Sequence, residues 1–404
     1  MMQAGARIFV LGADGFIGRH IAFGLRARGF DVVACARRTK RLARMGFETF
    51  QCDLTQTQAS TPEFWTKPLA GCEAVINAAG VLTASDAAFE AIHVTAPKAL
   101  YEAAPVDCQV LLLSAVGIDG VETPFAKYRR AGEAVASAAG ALTLRAGLVL
   151  SDTSYGGSSL ARGLAALPFV MPIIGRGKQM FNPIHASDLT AVMIDMLTQN
   201  ITGRFDVGGP EHITQVEMLR RLRSWFGLPK AAILPIPMGV ARLIGQLGDV
   251  MQLGPISATA VAQLSQGVEA ETTSMSAQII APPRGFSEFL NARPAGTQDL
   301  WHARLYLMRP VLRIVLAVMW LVSAGIGLTL PSAQFLPLIQ GAPLPDTALI
   351  AMARLGGVAD LWIAGALLRG WRPQFMAGVQ AAMVVSYTLA FTVLAPVLWL
   401  LPLG

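Results

Sequence analysis

Charge is scarce in this 404-residue chain: 14% of residues are Asp, Glu, Lys or Arg, against roughly 25% in an ordinary soluble domain, while 53% are hydrophobic. That balance excludes disorder and leaves more apolar mass than one globular surface hides. Cysteine is scarce too. Cys35, Cys52, Cys72 and Cys108 lie far apart with no C-x-x-C pair, which argues against a zinc site or a disulfide framework and fits a reducing compartment. No metal site is expected. No basic run is interleaved with aromatic residues, so the net charge of +6 does not point to nucleic acid. The first apolar run, Arg7 to Leu11, is only strand-length and ends in glycine, unlike a secretory leader, so the N-terminal part is expected to stay where it is made.

The length predicts two or three domains. Short apolar runs alternate with longer amphipathic stretches at Ile8–Leu11, Val32–Ala34, Ala74–Ile76, Val110–Leu113 and Leu142–Leu144. Strands separated by helices at that spacing predict a parallel sheet covered on both faces. The fold class expected is therefore α/β, a doubly wound Rossmann domain over residues 1–230. From Ile201 to Pro294 the pattern loosens into helices broken by prolines, and 231–303 reads as a small substrate-side lobe and linker. Beyond residue 304 the character changes. Ile314–Leu330 carries no charge, Thr347–Leu368 carries only Arg354 and Asp360, and nothing after Arg372 is charged. About 20 apolar residues cross a bilayer core, so 304–404 reads as an all-α transmembrane domain with spans near 309–330, 347–368 and 374–395. Arg304, Arg309 and Arg313 precede the first span and Arg369 and Arg372 separate the last two, whereas 331–346 has no basic residue. The positive-inside rule then places the N-terminal domain in the cytoplasm of a bacterial-type inner-membrane, multi-pass protein. Arg354 is expected to snorkel outward, and Asp360, nearer the middle, to need a partner or water. Six residues apart on one helix, they face about 120° away from each other.

The sharpest motif is Gly12-Ala13-Asp14-Gly15-Phe16-Ile17-Gly18, leaving the first strand and opening a helix. The glycines allow a tight turn, close approach of a pyrophosphate to the backbone, and close helix-on-strand packing, while the helix N-terminus supplies amide donors. The second strand ends in Arg37 and Arg38 with no carboxylate. An acidic residue there would accept from a ribose 2'-hydroxyl, whereas arginine pairs with a 2'-phosphate, so NADP(H) is favoured over NAD(H). A solvated helix start is the alternative reading of this basic cluster.

With these glycines in place, the first 250 residues resemble the extended and atypical short-chain dehydrogenase/reductase superfamily, through Cys52-Asp53-Leu54, Asn77-Ala78-Ala79-Gly80, Leu113-Ser114-Ala-Val-Gly117, Leu144-Arg-Ala-Gly-Leu148 and Asn182-Pro-Ile-His-Ala-Ser-Asp188. The resemblance implies that Asp53, with Leu54, meets the adenine and that Asn77 to Gly80 lines the cofactor. Ser114-Ala-Val-Gly, Gly132-Glu133 and Asp206-Val-Gly-Gly-Pro210 are similar to the atypical branch that includes the accessory subunit of respiratory complex I. The tail from Gln298 resembles the DoxX-like membrane domain fused to such reductases. Those tails carry four spans, so a fourth is expected to be absent or not included, the text ending Pro402-Leu-Gly404.

The family's reaction needs a tyrosine to move a proton and a lysine one turn later to tune it and bind the ribose. Tyr-x-x-x-Lys occurs nowhere here. Alignment on Ala131-Gly-Glu133 places Phe125 in the tyrosine slot and Arg129 in the lysine slot. Arginine still binds a ribose, but phenylalanine has no proton to give. Tyr128, adjacent on the same helix face, is the candidate replacement or else a packing aromatic. Ser114 matches the position that orients a substrate carbonyl, or is satisfied by backbone. His185, Ser187 and Asp188 read first as a helix start, with Ser187 as N-cap. Two functions follow: an atypical NADPH-dependent oxidoreductase, whose small substrate could be lipophilic and reached from the bilayer, or a non-catalytic nucleotide-binding module with a membrane-protein partner.

Overall fold

A computed structural model describes residues 3–266, 268–396 and 399; the expected chain end at Pro402-Leu-Gly404 lies outside the described residues. The chain divides into two compact units, 1–246 with 254–304, and 247–253 with 305–404.

The first unit is built on a seven-stranded, all-parallel sheet. β1 (Arg7–Leu11), β2 (Asp31–Ala36), β3 (Glu48–Gln51), β4 (Cys72–Asn77), β5 (Gln109–Ala115) and β6 (Leu142–Ala146) are joined by a seventh strand, Gly203–Val207. The spatial order is β3-β2-β1-β4-β5-β6 and then Gly203–Val207. That last strand falls where only helices were expected, because the short run Gly203-Arg-Phe-Asp-Val207 is stabilised by its pairing to β6 rather than by its own periodicity. Alternation along each strand serves two layers. Ile8, Val10, Ala74, Ile76, Leu111 and Leu113 face a core with α1 (Phe16–Ala27) and the helix Ala186–Thr198. Phe9, Leu11, Val75, Val110 and Leu112 face the opposite core with Trp65, Leu69 and Leu100. Side chains buried on both faces explain why these strands read as continuous apolar runs.

A third core joins Leu150, Met171, Phe181, Leu219 and Leu222 to Phe286, Phe289 and Leu290, so the segment read as a lobe packs with residues drawn from 148–226 as well. The helix after Ile184–His185 starts at Ala186, not after Ser187. His185 is its N-cap, with Nδ1 accepting from the Ser187 amide at 3.3 Å, because the chain leaves the short strand two residues earlier than the Ser187 reading placed it.

The second unit contains long helices at Thr297–Thr329, Asp346–Leu368 and Pro373–Leu394, all long and apolar enough to cross a membrane. Arg354 is held by backbone. Its Nη1 and Nη2 donate to the carbonyls of Gly327 and Leu330 at 2.8 and 2.7 Å, at the C-terminal end of the first long helix, where the backbone acceptors have no intrahelical partners. Asp360 finds its partners on the two other helices, accepting from Ser323 Oγ at 2.6 Å and Tyr387 Oη at 2.7 Å.

Candidate functional site

In a doubly wound sheet the crevice opens where strand order reverses, and here that is between β1 and β4. Leu11 pairs with Asn77 across it, which brings the glycine turn and the Asn77–Gly80 turn together. Gly12 has φ +82°, and a Cβ on it would lie 2.8 Å from the Ala79 nitrogen. A Cβ on Gly18 would lie 2.2 Å from the Gly12 carbonyl oxygen. Both positions therefore require glycine. The amides of Gly12 and Ala13 donate to the Cys35 carbonyl, tying the turn to the end of β2. Gly15 is the N-cap of α1 and offers no side chain to its first turn, so the helix start keeps its character as an anion site. Phe16 and Ile17 sit half-buried and Asp14 is exposed.

Arg37 and Arg38 follow β2 directly. Both are exposed, and among the described residues neither has a hydrogen-bond or ion-pair partner. Hydrogen bonds from the Thr55 amide and hydroxyl, with the charge of Arg37 nearby, hold the Asp53 carboxyl below the usual range. Leu54 is buried beneath it. Asn77 is buried and fully engaged: its Nδ2 donates to Tyr101 Oη at 2.8 Å and its Oδ1 accepts from the Ala79 amide at 3.1 Å. Asn77 thus shapes the Ala78-Ala79-Gly80 turn.

The helix Pro124–Ala138 presents Phe125, Tyr128, Arg129 and Glu133 from one surface. Arg129 Nη1 donates to the Leu113 carbonyl at 3.1 Å, while a Cβ on Gly80 would lie 2.3 Å from its Nη2. Its buried Nε has no partner. Burial lowers Arg129 to about 10, still cationic near neutrality. A buried guanidinium nitrogen without an acceptor, beside the Gly80 turn, suits the hydroxyl-rich ribose of a dinucleotide. Together with the glycine cradle, these residues fit an NAD(P)-type group.

The candidate proton donors are placed differently. Phe125 is buried, its ring centroid 6.3 Å from that of His93 in an edge-on pair. Tyr128 is buried and stacks on Phe89 at 5.6 Å and 6°. Ser114 Oγ donates to Glu133 Oε1 at 2.5 Å, inside a buried network in which Arg145 pairs with Glu133 at 2.6 Å and Asp119 at 2.5 Å. Its proton is thereby committed to a carboxylate, and the serine can only accept from a ligand in this arrangement.

His93 escaped notice as a lone histidine in an apolar stretch. It lies in a π-helical turn, Ala91–Thr95, and a Cβ on Gly132 would come within 2.4 Å of its carbonyl oxygen. Its Nε2 accepts from the Val81 amide at 3.5 Å, just past the Gly80 turn. Burial, with the charge of Arg129 beside it, pushes His93 down to about 3, so it is neutral. A wide turn of this kind is rare and tends to occur at functional sites, but no periodicity announces it.

A second polar group gathers at the start of α1. His20 Nε2 meets Ser151 Oγ at 2.7 Å and Thr153 Oγ1 at 3.2 Å, and Phe16 stacks on Tyr155 at 6.4 Å. The segment 151–155 therefore contacts the glycine-turn helix. His185 lies 4.0 Å from Asp152, and Asp188 pairs with Arg284 at 2.9 Å, so these residues tie the helix Ala186–Thr198 to neighbouring loops. No group of three or more metal-ligating side chains occurs among the described residues.

Residues 8–125 match the NAD dependent epimerase/dehydratase family, and residues 317–404 match the DoxX-like family. The chain thus carries an N-terminal region similar to the NAD dependent epimerase/dehydratase family and a C-terminal region similar to the DoxX-like family. No curated protein matches it. Similar solved structures include UDP-glucuronic acid 4-epimerase from Bacillus cereus in complex with NAD, at TM-score 0.54 and 17% identity, covering 74% of this chain and 97% of that one. MoeE5 in complex with UDP-glucose and NAD has TM-score 0.51 and 18% identity, covering 76% and 100%. At such identities the likeness concerns the fold.

Proposed function

We propose that this chain is a membrane-anchored, NADP(H)-binding reductase-type protein whose chemistry proceeds without the tyrosine–lysine relay. The observation that carries this reading is Arg129. It occupies the lysine slot with an unpartnered buried Nε beside Gly80, while Phe125 stands where the phenol would be. The dinucleotide supplies hydride chemistry when bound. Gly12, Gly15 and Gly18 make room for its phosphates, the first turn of α1 donates to them, and Arg129 holds the ribose. The exposed, unpaired Arg37 and Arg38 at the end of β2 support a 2'-phosphate, hence NADP(H) over NAD(H).

Neither Ser114 nor Tyr128 is set to pass a proton, since Ser114 donates to Glu133 and Tyr128 packs on Phe89. The imidazole of His93 lies beside Gly80 and Arg129, but with its pKa pushed down to about 3 and its Nε2 accepting from the Val81 amide it is a poor proton carrier near neutrality. The engagement of Ser114 and Tyr128 also favours a second reading, a nucleotide-holding module without turnover. The three long helices, with side chains such as Val315, Val322 and Leu389 exposed outward, support membrane anchoring. The basic flanks support a cytoplasmic N-terminal domain in a bacterial-type inner membrane. The small substrate, lipophilic or not, and any membrane-protein partner belong to the same proposal.

The test is titration of the full chain in detergent with NADPH and NADH, followed by NADPH oxidation with a panel of carbonyl compounds in wild type and in Phe125→Tyr/Arg129→Lys. A large gain in the double variant supports a nucleotide holder that has lost its relay. Turnover in wild type that the double variant leaves unchanged supports different proton chemistry. Absence of binding to both nucleotides overturns the reading.

A further inference from the structure

The helix Met238–Val250 carries its side chains in an order that water does not favour. Val240, Leu243, Ile244, Leu247 and Val250 are each between 45% and 66% exposed, whereas the small residues Ala241, Gly245 and Gly248 are buried. At roughly 100° per residue, the five large apolar side chains share one arc of about 120°, the small residues a second arc, and Arg242, Gln246 and Asp249 a third. A helix on a watery surface turns its large apolar stripe inward. Here packing fixes the opposite sense. A Cβ on Gly245 would lie 2.9 Å from the Ala258 nitrogen, so the glycine side is pressed onto the backbone at 257–258 and the leucines stay outside.

The last turn of this helix belongs with the long apolar helices, because residues 247–253 form one compact unit with 305–404. Arg313 Nη2 donates to the Met251 carbonyl, and a Cβ on Gly370 would lie 2.7 Å from Arg313 Nη1 and 3.5 Å from that carbonyl oxygen. Arg313 immediately precedes the uncharged run Ile314–Leu330, and Gly370 follows Arg369 in the turn between the last two long helices. Both positions mark where charge stops and apolar sequence of membrane length begins. The C-terminal end of Met238–Val250 is therefore held at headgroup depth, on the basic side of the bundle. Its 13 residues rise about 20 Å, short of the roughly 30 Å of a bilayer core, so the helix is no span. An apolar surface confined to one side suits a helix that lies in the interface.

We propose that Met238–Val250 is an interfacial membrane helix, lying along the bilayer surface with Val240, Leu243, Ile244, Leu247 and Val250 in the boundary between headgroups and acyl chains. Arg242, Gln246 and Asp249 then face away from the lipid. That polar arc carries one cation and one anion, so insertion of the apolar arc drives the contact rather than attraction to anionic lipid, and a zwitterionic bilayer suffices. The segment read as the substrate-side lobe, 231–303, meets lipid through its own chain, where a lipophilic substrate is dissolved. The proposal rests on the membrane-spanning reading of the long helices, but not on nucleotide binding.

The test uses the full chain in phosphatidylcholine nanodiscs, with Cys108→Ser to remove the half-buried native thiol. A nitroxide is placed on one introduced cysteine at a time, in Leu243→Cys, Leu247→Cys or Gln246→Cys. Power saturation compares collisions with oxygen, which concentrates in hydrocarbon, and with a water-soluble nickel chelate. The oxygen-to-nickel ratio at positions 243 and 247 is expected to exceed that at 246 by at least about fivefold. Where a labelled leucine variant fails to fold, Ile244→Cys reads the same arc. Equal ratios at all three positions overturn the proposal. Shielding of 243 and 247 from both reagents, with spin–spin broadening, overturns it as well and shows a second copy of the chain on this face. Retention in carbonate-washed membranes reports on spanning separately: a retained chain with equal ratios defeats the interfacial helix alone, whereas a chain washed out defeats the spanning reading and this proposal with it.

Discussion

Arg129 lies against Gly80, its Nη2 2.3 Å from where a Cβ would stand, while its Nη1 is fixed on the Leu113 carbonyl at the end of β5. Gly80, which ends the Asn77–Gly80 turn, and Arg129 are thus one device. Replacing Gly80 by alanine should push aside a flexible side-chain end rather than backbone. We expect a stability change of under about 1 kcal/mol but at least about tenfold weaker dinucleotide binding, read by thermal midpoint and by titration. Unchanged affinity would show that Arg129 does not serve the ligand.

On the proposed NADP(H) reading, Arg37 and Arg38 set cofactor choice. Replacing both with alanine is expected to weaken NADPH about tenfold or more while leaving NADH within about twofold, since only the former has a 2'-phosphate to lose. Equal loss for both nucleotides would return the pair to a general electrostatic role.

Gly132 faces the π-helical turn, and a Cβ there would lie 2.4 Å from the His93 carbonyl oxygen. The obstacle is backbone in a packed core, so Gly132→Ala should destabilise by about 1–3 kcal/mol, seen as a lower thermal midpoint. A neutral outcome would mean that the turn yields easily.

His93 makes stability depend on pH. Burial first, and Arg129 second, lower its folded pKa to about 3, while an unfolded chain titrates near 6.5. Above pH 6.5 both states hold it neutral and the folded form is undiminished. As pH falls from 6.5 toward 3, the unfolded state takes up a proton that the folded state refuses, and stability declines by roughly a few kcal/mol. His93→Gln should flatten that part of the profile. Thermal midpoints between pH 7 and pH 4, wild type against variant, decide the matter.

Glu133 receives the Ser114 hydroxyl and pairs with buried Arg145. Glu133→Gln should leave Arg145 with only the exposed Asp119 as a charged partner and cost about 3–5 kcal/mol. It would also weaken the acceptor that holds the Ser114 hydroxyl, by removing its charge. A gain of carbonyl-dependent NADPH oxidation in a folded variant would identify Ser114 as a latent substrate-orienting group.

Local text determined a good deal. Glycine spacing behind a strand, runs buried on two faces, and three predominantly apolar stretches of membrane length each express a preference over a few neighbouring residues, and such preferences survive into the structure because every neighbour agrees with them. The lack of a tyrosine four residues before a lysine was equally plain. What the tertiary structure decided is which distant atoms share a hydrogen bond. The seventh strand exists because β6 pairs with it, Ser114 spends its proton on Glu133 because β5 and the Pro124–Ala138 helix meet at that register, and Asp360 finds Ser323 and Tyr387 on two other helices. Helix periodicity stated that Arg354 and Asp360 could not meet, but where each would turn depended on glycines that let neighbouring helices approach. Partners separated by 19 or 37 positions leave no local periodic trace, since pairing at that range is set by packing and register rather than by the preferences of adjacent residues.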